Sequence, residues 1–347
     1  MASSWPERIS TEESLDDELS RPNAELIGSF GQLTSPLVIL GAGGKMGPSL
    51  AWLAARASRE SGHRLEVVAV SRFGSDPGIR EWLQQRGIRT IVADLSEPAD
   101  FRRLPDSENV VHLVGMKFGT SSNPGATWVA NTLVPANVAR RYASSRIVAL
   151  STGNVYPLVP ISAGGSREAD PLTPTGEYAH AAVARERIFE YFSLANQTRI
   201  TLLRLNYAVD LRYGVLVDVA RRIWLGEPIR LEMGYLNTIW QGDANRLVLR
   251  AFGLCSSPPT LLNITGVDLI SVRQVAERLG ELMQRRPRLE GDESDTALIS
   301  NTDRMLELLP GPQLPLERLL EWVAHWVMIG GRSLNRPTHY ETRDGKY

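Results

Sequence analysis

An alternation of short apolar runs with stretches of helical spacing, sustained from residue 37 to residue 205, limits the folds open to this chain more than any other feature. The runs read as strands at 37–40, 65–70, 89–93, 109–114, 146–151 and 199–205. Helices are expected between them, near 79–85, 97–104, 125–143 and 177–194. Another follows the first strand directly, with Met46, Leu50 and Leu53 on one face. The strands carry little polar alternation, which fits burial on both sides. Such a succession predicts an α/β fold: a doubly wound parallel sheet with helices on both faces.

Outside this core the pattern changes. Residues 1–35 read as an N-terminal helical extension, one or two short helices broken at Pro22, with a capping box running from Ser10 to Glu13. Residues 36–208 form the sheet domain. Over 209–329 the pattern loosens into helices near 213–225, 271–284, 301–309 and 315–327 and short strands near 229–231, 238–240 and 261–264. This reads as a smaller C-terminal α/β substrate lobe, part of whose chain returns to the main domain. A tail, 330–347, is rich in Gly, Arg and Asn and is expected to wrap a surface or to be mobile.

Bulk properties exclude several classes of partner. A net charge of −1 offers no electrostatic case for nucleic acid or an anionic membrane. No apolar run approaches the roughly 20 residues that span a bilayer, and the polar, acidic start does not read as a signal peptide. Cys255 is the only cysteine, so an internal disulfide is impossible and a reducing, cytoplasmic setting is expected. No metal site is expected. Lysine occurs only at Lys45, Lys117 and Lys346, and arginine supplies the other 35 basic side chains.

The most informative local motif is Leu40-Gly41-Ala42-Gly43-Gly44-Lys45-Met46-Gly47, lying after a strand and opening a helix. Glycines at 41, 44 and 47 allow a tight turn, close approach of a pyrophosphate, and helix–strand packing. The helix N-terminus then faces the phosphates. This context predicts a Rossmann dinucleotide site. At the end of the second strand stands Ser71-Arg72 in place of the carboxylate that commonly holds an NAD ribose. The pair suits a 2′-phosphate, so NADP is the expected cofactor, with NAD the alternative. Asp94-Leu95, after the third strand, is placed to reach the adenine amino group or, equally, to cap the following helix.

These residues, with those that follow them, resemble the NAD-dependent epimerase/dehydratase family, the extended short-chain dehydrogenase/reductases. The resemblance spans about 37–327. It rests on the glycine turn, Asp94-Leu95, Val111-His112-Leu113, Asn131, Ser151-Thr152-Gly153-Asn154-Val155-Tyr156, Tyr178, and Arg204-Leu205-Asn206-Tyr207. The turn alone is also similar to that of dihydrodipicolinate reductases, but the later markers do not follow that family. The resemblance implies that Thr152 hydrogen-bonds the substrate oxygen, that Tyr178 is the catalytic tyrosine of a Y-x-x-x-K motif, and that Asn131 lies beside the cofactor. It also implies a homodimer built from the helices near 125–143 and 177–194, through Val129, Leu133, Ala136, Ala139, Ala181, Ala184, Ile188 and Phe192.

Two departures bear on function. The motif reads Tyr178-Ala179-His180-Ala181-Ala182, so alanine replaces the lysine whose charge would favour phenolate. A free tyrosine, with a pKa near 10, is only roughly 0.1% ionised at pH 7. Lys117, after the fourth strand, is the expected substitute or a partner for a substrate carboxylate. Secondly, Leu236-Asn237-Thr238-Ile239-Trp240-Gln241-Gly242-Asp243 lacks the arginine that holds a nucleotide-sugar diphosphate. Hydride transfer at a hydroxyl-bearing carbon of a sugar-like or sugar-acid substrate is therefore expected, by an oxidoreductase or an epimerase. Asn206, Arg212, Tyr213, Tyr235 and Trp240 are candidates to line the substrate site. The competing expectation is a dinucleotide-binding regulatory or scaffold protein that has lost catalysis.

Overall fold

The computed structural model describes residues 5–74, 76–117, 119–120 and 122–346. Seven parallel strands make one sheet: β1 (Leu37–Leu40), β2 (Val67–Ser71), β3 (Arg89–Val92), β4 (Asn109–His112), β5 (Arg146–Thr152), β6 (Arg199–Leu205) and β7 (Thr260–Ile264). Their order is β7-β6-β5-β4-β1-β2-β3. The chain therefore reverses direction between β1 and β4, which pair from Leu37↔Asn109 to Leu40↔His112. At such a switch point the connections leave in opposite directions and open a crevice beyond the strand ends. All four residues of β1 and of β4 are buried, as the apolar runs require.

The helices are α1 (Glu12–Leu19), α2 (Ala24–Phe30), α3 (Gly47–Glu60), α4 (Pro77–Gln85), α5 (Pro124–Trp128), α6 (Val134–Arg141), α7 (Glu177–Asn196), α8 (Val215–Leu225), α9 (Gln241–Arg250), α10 (Val272–Met283), α11 (Asp303–Leu308) and α12 (Leu316–Met328). One sheet face packs on α2, α3 and α9 through Leu26, Phe30, Leu50, Leu53, Leu247 and Val248. The other packs on α6 and α7 through Val134, Val138 and Phe189. A separate apolar cluster joins α8, α10 and α12 into the C-terminal lobe. The chain returns from that lobe to the sheet as β7, in parallel register with β6 from Thr260↔Thr201 to Ile264↔Leu205.

Several boundaries differ from expectation for local reasons. The first cap is Thr11 rather than Ser10, because Thr11 and Ser14 exchange reciprocal side-chain-to-backbone bonds. The segment expected as a helix near 97–104 is a 3₁₀ turn, Pro98–Arg103. The long helix expected near 125–143 is divided by a π turn, Val129–Leu133. Pro135 has no N–H to return to the carbonyl of Asn131, so the ladder shifts by one residue there.

The N-terminal extension is anchored to the C-terminal lobe: the Trp322 indole N–H donates to the Pro6 carbonyl at 3.0 Å, and Trp5 meets Trp322 edge-on. Among its described residues the tail has no helix or strand, yet it is docked. Leu334 N–H donates to the Arg212 carbonyl (2.9 Å), Thr338 N–H and Oγ1 both donate to Asp218 (2.7 and 2.6 Å), and Tyr340 is buried. Gly345 packs directly on Gly176, which opens α7 with a φ of +83°. A side chain at Gly176 would both strain that backbone and strike the Gly345 carbonyl, so the tail closes over the start of α7. Among the described residues no helix is long and apolar enough to cross a membrane.

Candidate active site

The glycine turn leaves β1 with Gly41 at φ +86°, a conformation that a side chain would disfavour. A Cβ on Gly41 would also come within 3.0 Å of Val114, and one on Gly47 would strike the backbone of Ala42. Helix α3 therefore sits as close to β1 as the backbone permits. Its N-cap, Met46, offers no side-chain cap; Gly47 N–H, the first of α3, donates to the Gly44 carbonyl at 3.3 Å, and Pro48 carries no N–H. A helix start without a side-chain cap, behind a glycine cradle, fits a dinucleotide pyrophosphate.

At the strand ends beyond the turn, a Cβ on Gly43 would lie 2.6 Å from Ser71 Oγ. Arg72 is 76% exposed and pairs with Asp94 at 3.5 Å. Asp94 in turn accepts from Ser96 N–H (2.9 Å) and Ser96 Oγ (2.6 Å), bonds that hold its carboxyl below the usual carboxylate range, with Arg72 adding to the effect. Of the two roles open to Asp94, the turn-capping bonds are formed. Leu95 next to it is buried.

Two cavities meet at the glycine turn and share Gly44, Lys45 and Arg336. The outer one, about 760 Å³, lies between α1, α3, α4 and the tail. The inner one, about 370 Å³, is lined by Gly41, Met46, Gly47, Thr152, Tyr178, Asn206 and Tyr213. Thr152 ends β5; its Oγ1 donates to Asn154 Oδ1 (2.9 Å) and accepts from Asn154 N–H (3.2 Å). Tyr178, in the first turn of α7, is nearly buried. Asn131 lies behind this cavity, fully buried in the π turn, its amide donating to the Thr127 carbonyl at 2.8 Å.

Both internal lysines reach the inner cavity. Lys117 Nζ donates to the Thr338 carbonyl of the tail at 3.5 Å; burial brings its pKa down to about 8, with Asp218 acting the other way. Phe118, its neighbour, lies outside the described residues. Lys45 turns from the glycine loop toward the same space, donates to the Ala208 carbonyl (2.6 Å) and lies 4.2 Å from the Tyr213 ring centre. Burial, opposed by Asp210 and aided by Lys117, lowers its pKa to about 7. Two further cations, Arg185 and Arg336, complete the lining, which contains no carboxylate among the described residues. Neither was anticipated. Arg185 was legible only as a residue seven positions beyond Tyr178 on the same helix, and Arg336 not at all.

Three expected substrate residues are elsewhere. Trp240 is buried in the lobe core with its ring centre 5.4 Å from that of Trp322. Arg212 is held by Asp210 (2.9 Å), Asp16 (3.0 Å) and Glu12 (3.6 Å), and it borders only the outer cavity. Tyr235 packs against Met233 and Ile299. Trp240 was drawn away by an aromatic core, Arg212 by a set of carboxylates and Tyr235 by an aliphatic cluster. Arg204 of the Arg-Leu-Asn-Tyr marker is likewise structural: it forks onto Glu186 at 2.7 Å and donates to the Tyr156 hydroxyl at 2.6 Å.

Comparison with known proteins agrees with this architecture. The model of the NAD dependent epimerase/dehydratase family matches residues 37–230. No curated protein matches the chain. Among solved structures, the chain is similar to the UDP-glucose 4-epimerase of Thermotoga maritima (TM-score 0.68, 18% identity, covering 84% of this chain and 98% of that one). It is similar also to the UDP-Glc/GlcNAc 4-epimerase of Campylobacter jejuni (0.69, 19%, 84% and 98%). A third is the UDP-glucuronic acid 4-epimerase of Bacillus cereus, solved with NAD (0.71, 15%, 84% and 96%). At these identities the likeness concerns the fold, whereas the family match extends over more than half of the chain. The chain belongs to the NAD-dependent epimerase/dehydratase family.

Proposed function

We propose that this protein is a nicotinamide-dinucleotide-dependent oxidoreductase or epimerase acting by hydride transfer at a hydroxyl-bearing carbon of a small, anionic, sugar-like substrate. The observation that carries this reading is the inner cavity itself: Tyr178 and Thr152 beside the glycine turn, with four cationic side chains and no carboxylate in the lining among the described residues. When bound, the dinucleotide supplies the hydride acceptor or donor. The chain's own residues do the rest. The glycine turn and the start of α3 hold the diphosphate, and Asn131 supports the wall behind it. Tyr178 Oη exchanges the proton of the reacting hydroxyl, while Thr152 Oγ1 hydrogen-bonds the same oxygen and fixes its direction. Asn206 and Tyr213 complete the walls.

Lys117 and Arg336 are assigned to the anionic group of the substrate, because both face the cavity from the side closed by the lobe and the tail. The cationic lining around Lys117 and Arg336 suits a small free sugar acid. The absence of an arginine between Leu236 and Asp243 points the same way. UDP-sugars, named for the similar epimerase structures, are the competing class. Calorimetric titration with each dinucleotide, then turnover on sugar acids, their neutral counterparts and UDP-sugars, tests the proposal. Acids should exceed neutral analogues by at least about tenfold in kcat/KM, the effect of about 1.4 kcal/mol from one charged contact. A preference for neutral sugars or UDP-sugars would refute the substrate class. One observation favours a second reading, catalytic loss: Ala182 packs with Val155 and Tyr156. Dinucleotide binding without turnover on any of these compounds would support it.

Ser71 and Arg72 favour NADP(H) over NAD(H). Arg72→Asp should reverse that order by calorimetry; equal affinities in the wild type, unchanged in the variant, would refute the assignment. A homodimer through α5–α7 also belongs to this reading. Trp128, Val129, Leu133, Tyr191 and Leu194 are exposed apolar side chains on these elements, whereas Ala139 and Ala181, expected at the interface, turn inward. Light scattering at micromolar concentration should give twice the chain mass.

A further inference from the structure

We propose that Arg185 supplies the fixed positive charge for Tyr178 that the Y-x-x-x-K pattern would put at Ala182. This inference rests on the reading of Tyr178 as the proton carrier, and it deepens that reading by naming the group that makes a buried phenol usable.

The argument begins with how this protein treats buried arginines. Arg204 and Arg246 are each almost wholly buried, and each is paired with a buried carboxylate, Glu186 and Asp243 respectively. Arg185 is buried to the same degree, 4% exposed, but has no carboxylate partner among the described residues. Its Nη1 donates only to neutral oxygens, the Val114 carbonyl (3.2 Å) and Asn131 Oδ1 (3.1 Å), and its buried Nε has no partner. A buried charge without a counter-charge is strongly unfavourable. A guanidinium held in that state, lining a cavity, is poised for negative charge that arises in the cavity.

Position supports the same assignment. Seven residues are about 20° short of two full helical turns, so Arg185 shares the face of Tyr178. Helical side chains lean toward the N-terminus, and the long arginine leans back over the turn that Ala182 leaves empty of charge. Its head reaches the end of β4. A Cβ on Gly115 would lie 2.6 Å from Nη1, so glycine there leaves the room that the guanidinium occupies. The carbonyl that anchors it belongs to Val114, the residue against which Gly41 of the phosphate turn packs. The head thus lies between the tyrosine-bearing helix and the dinucleotide cradle. The π turn contributes by presenting Asn131 Oδ1 to Arg185. The two lysines are poorer candidates for a constant charge, since burial brings them to about 7 and about 8, whereas an arginine stays protonated throughout this range.

The experiment reads Tyr178 directly and needs no substrate. Ultraviolet difference titration of the wild type against Tyr178→Phe isolates the ionisation of that phenol; the same subtraction is made in Arg185→Gln and Arg185→Lys backgrounds. Glutamine keeps a donor for the Val114 carbonyl but removes the charge, and lysine keeps the charge with fewer donors. The Tyr178 titration should move up by at least about one pH unit in Arg185→Gln, a tenfold loss of phenolate at a given pH, and stay within about half a unit of wild type in Arg185→Lys. An unmoved titration in Arg185→Gln overturns the proposal. So does an equal shift in both variants, which would make Arg185 a packing residue. Because no turnover is involved, a wrong substrate class leaves this result intact, and the sugar-acid screen fails or succeeds independently.

Discussion

Tyr178→Phe is expected to lower turnover by about 10²–10⁴-fold while leaving dinucleotide affinity within about threefold of wild type. The substitution removes one oxygen from a nearly buried ring and keeps its shape, so the fold and the glycine cradle are undisturbed. What disappears is the phenol that α7 contributes to the cavity wall shared with Thr152. Lys117→Ala should behave differently. If Lys117 holds the anionic group of the substrate, its loss raises KM far more than it lowers kcat. In the wild type KM should climb as pH passes about 8, where Lys117 gives up its proton. The direction follows from the charge: the protonated amine attracts the anion, and deprotonation abolishes the attraction. Steady-state kinetics of both variants over pH 6–10, beside dinucleotide dissociation constants, separates the two roles. Full activity of Tyr178→Phe would remove the tyrosine from the mechanism altogether.

Glu186→Gln should be the most destabilising single change outside the apolar core. Glu186 is 4% exposed and Arg204 2% exposed; besides this pair the carboxylate accepts from Ser151 Oγ. Removing one partner leaves a buried guanidinium without its counter-charge, a loss of about 3–5 kcal/mol. For a chain of this size that corresponds to a fall on the order of 5–10 °C in Tm. The exposed pair Arg187–Glu190, one turn further along the same helix, supplies the control. Glu190→Gln should cost less than about 1 kcal/mol, because water screens that pair already. Similar melting temperatures for the two variants would contradict the account. Glu186 holds Ser151, the neighbour of Thr152, so its loss should also loosen the end of β5.

Much of this protein is legible along its sequence because the relevant forces act over short distances. Apolar runs that can only be buried strands, a glycine turn between strand and helix, and Tyr178 at the start of a helix are local patterns, and the fold realises them with small shifts of boundary. The positions of Asn131 and Thr152, in the turn before α6 and at the end of β5, were legible for the same reason, each being attached to a strand or helix whose place the alternation dictates. Errors arose where a side chain had a choice of partners. Trp240 and Arg212 looked like site residues because they follow the right segments, but an aromatic core claimed one and three carboxylates claimed the other.

Sequence alone thus determined the parallel sheet, the dinucleotide cradle and the place of Tyr178 at the start of α7, since periodicity and backbone conformation require no knowledge of distant contacts. Tertiary structure alone decided where the charges converge. Arg185 is one arginine among 35 until the end of β4 and the π turn meet its head group. Lys45 belongs to the glycine turn by position, yet it points into the inner cavity once Ala208 and Tyr213 are folded against it. The tail has no periodic pattern, and its place follows from contacts such as Thr338 to Asp218 and Gly345 to Gly176, more than a hundred residues apart. Burial and counter-charge are properties of the folded surroundings, and only the fold supplies them.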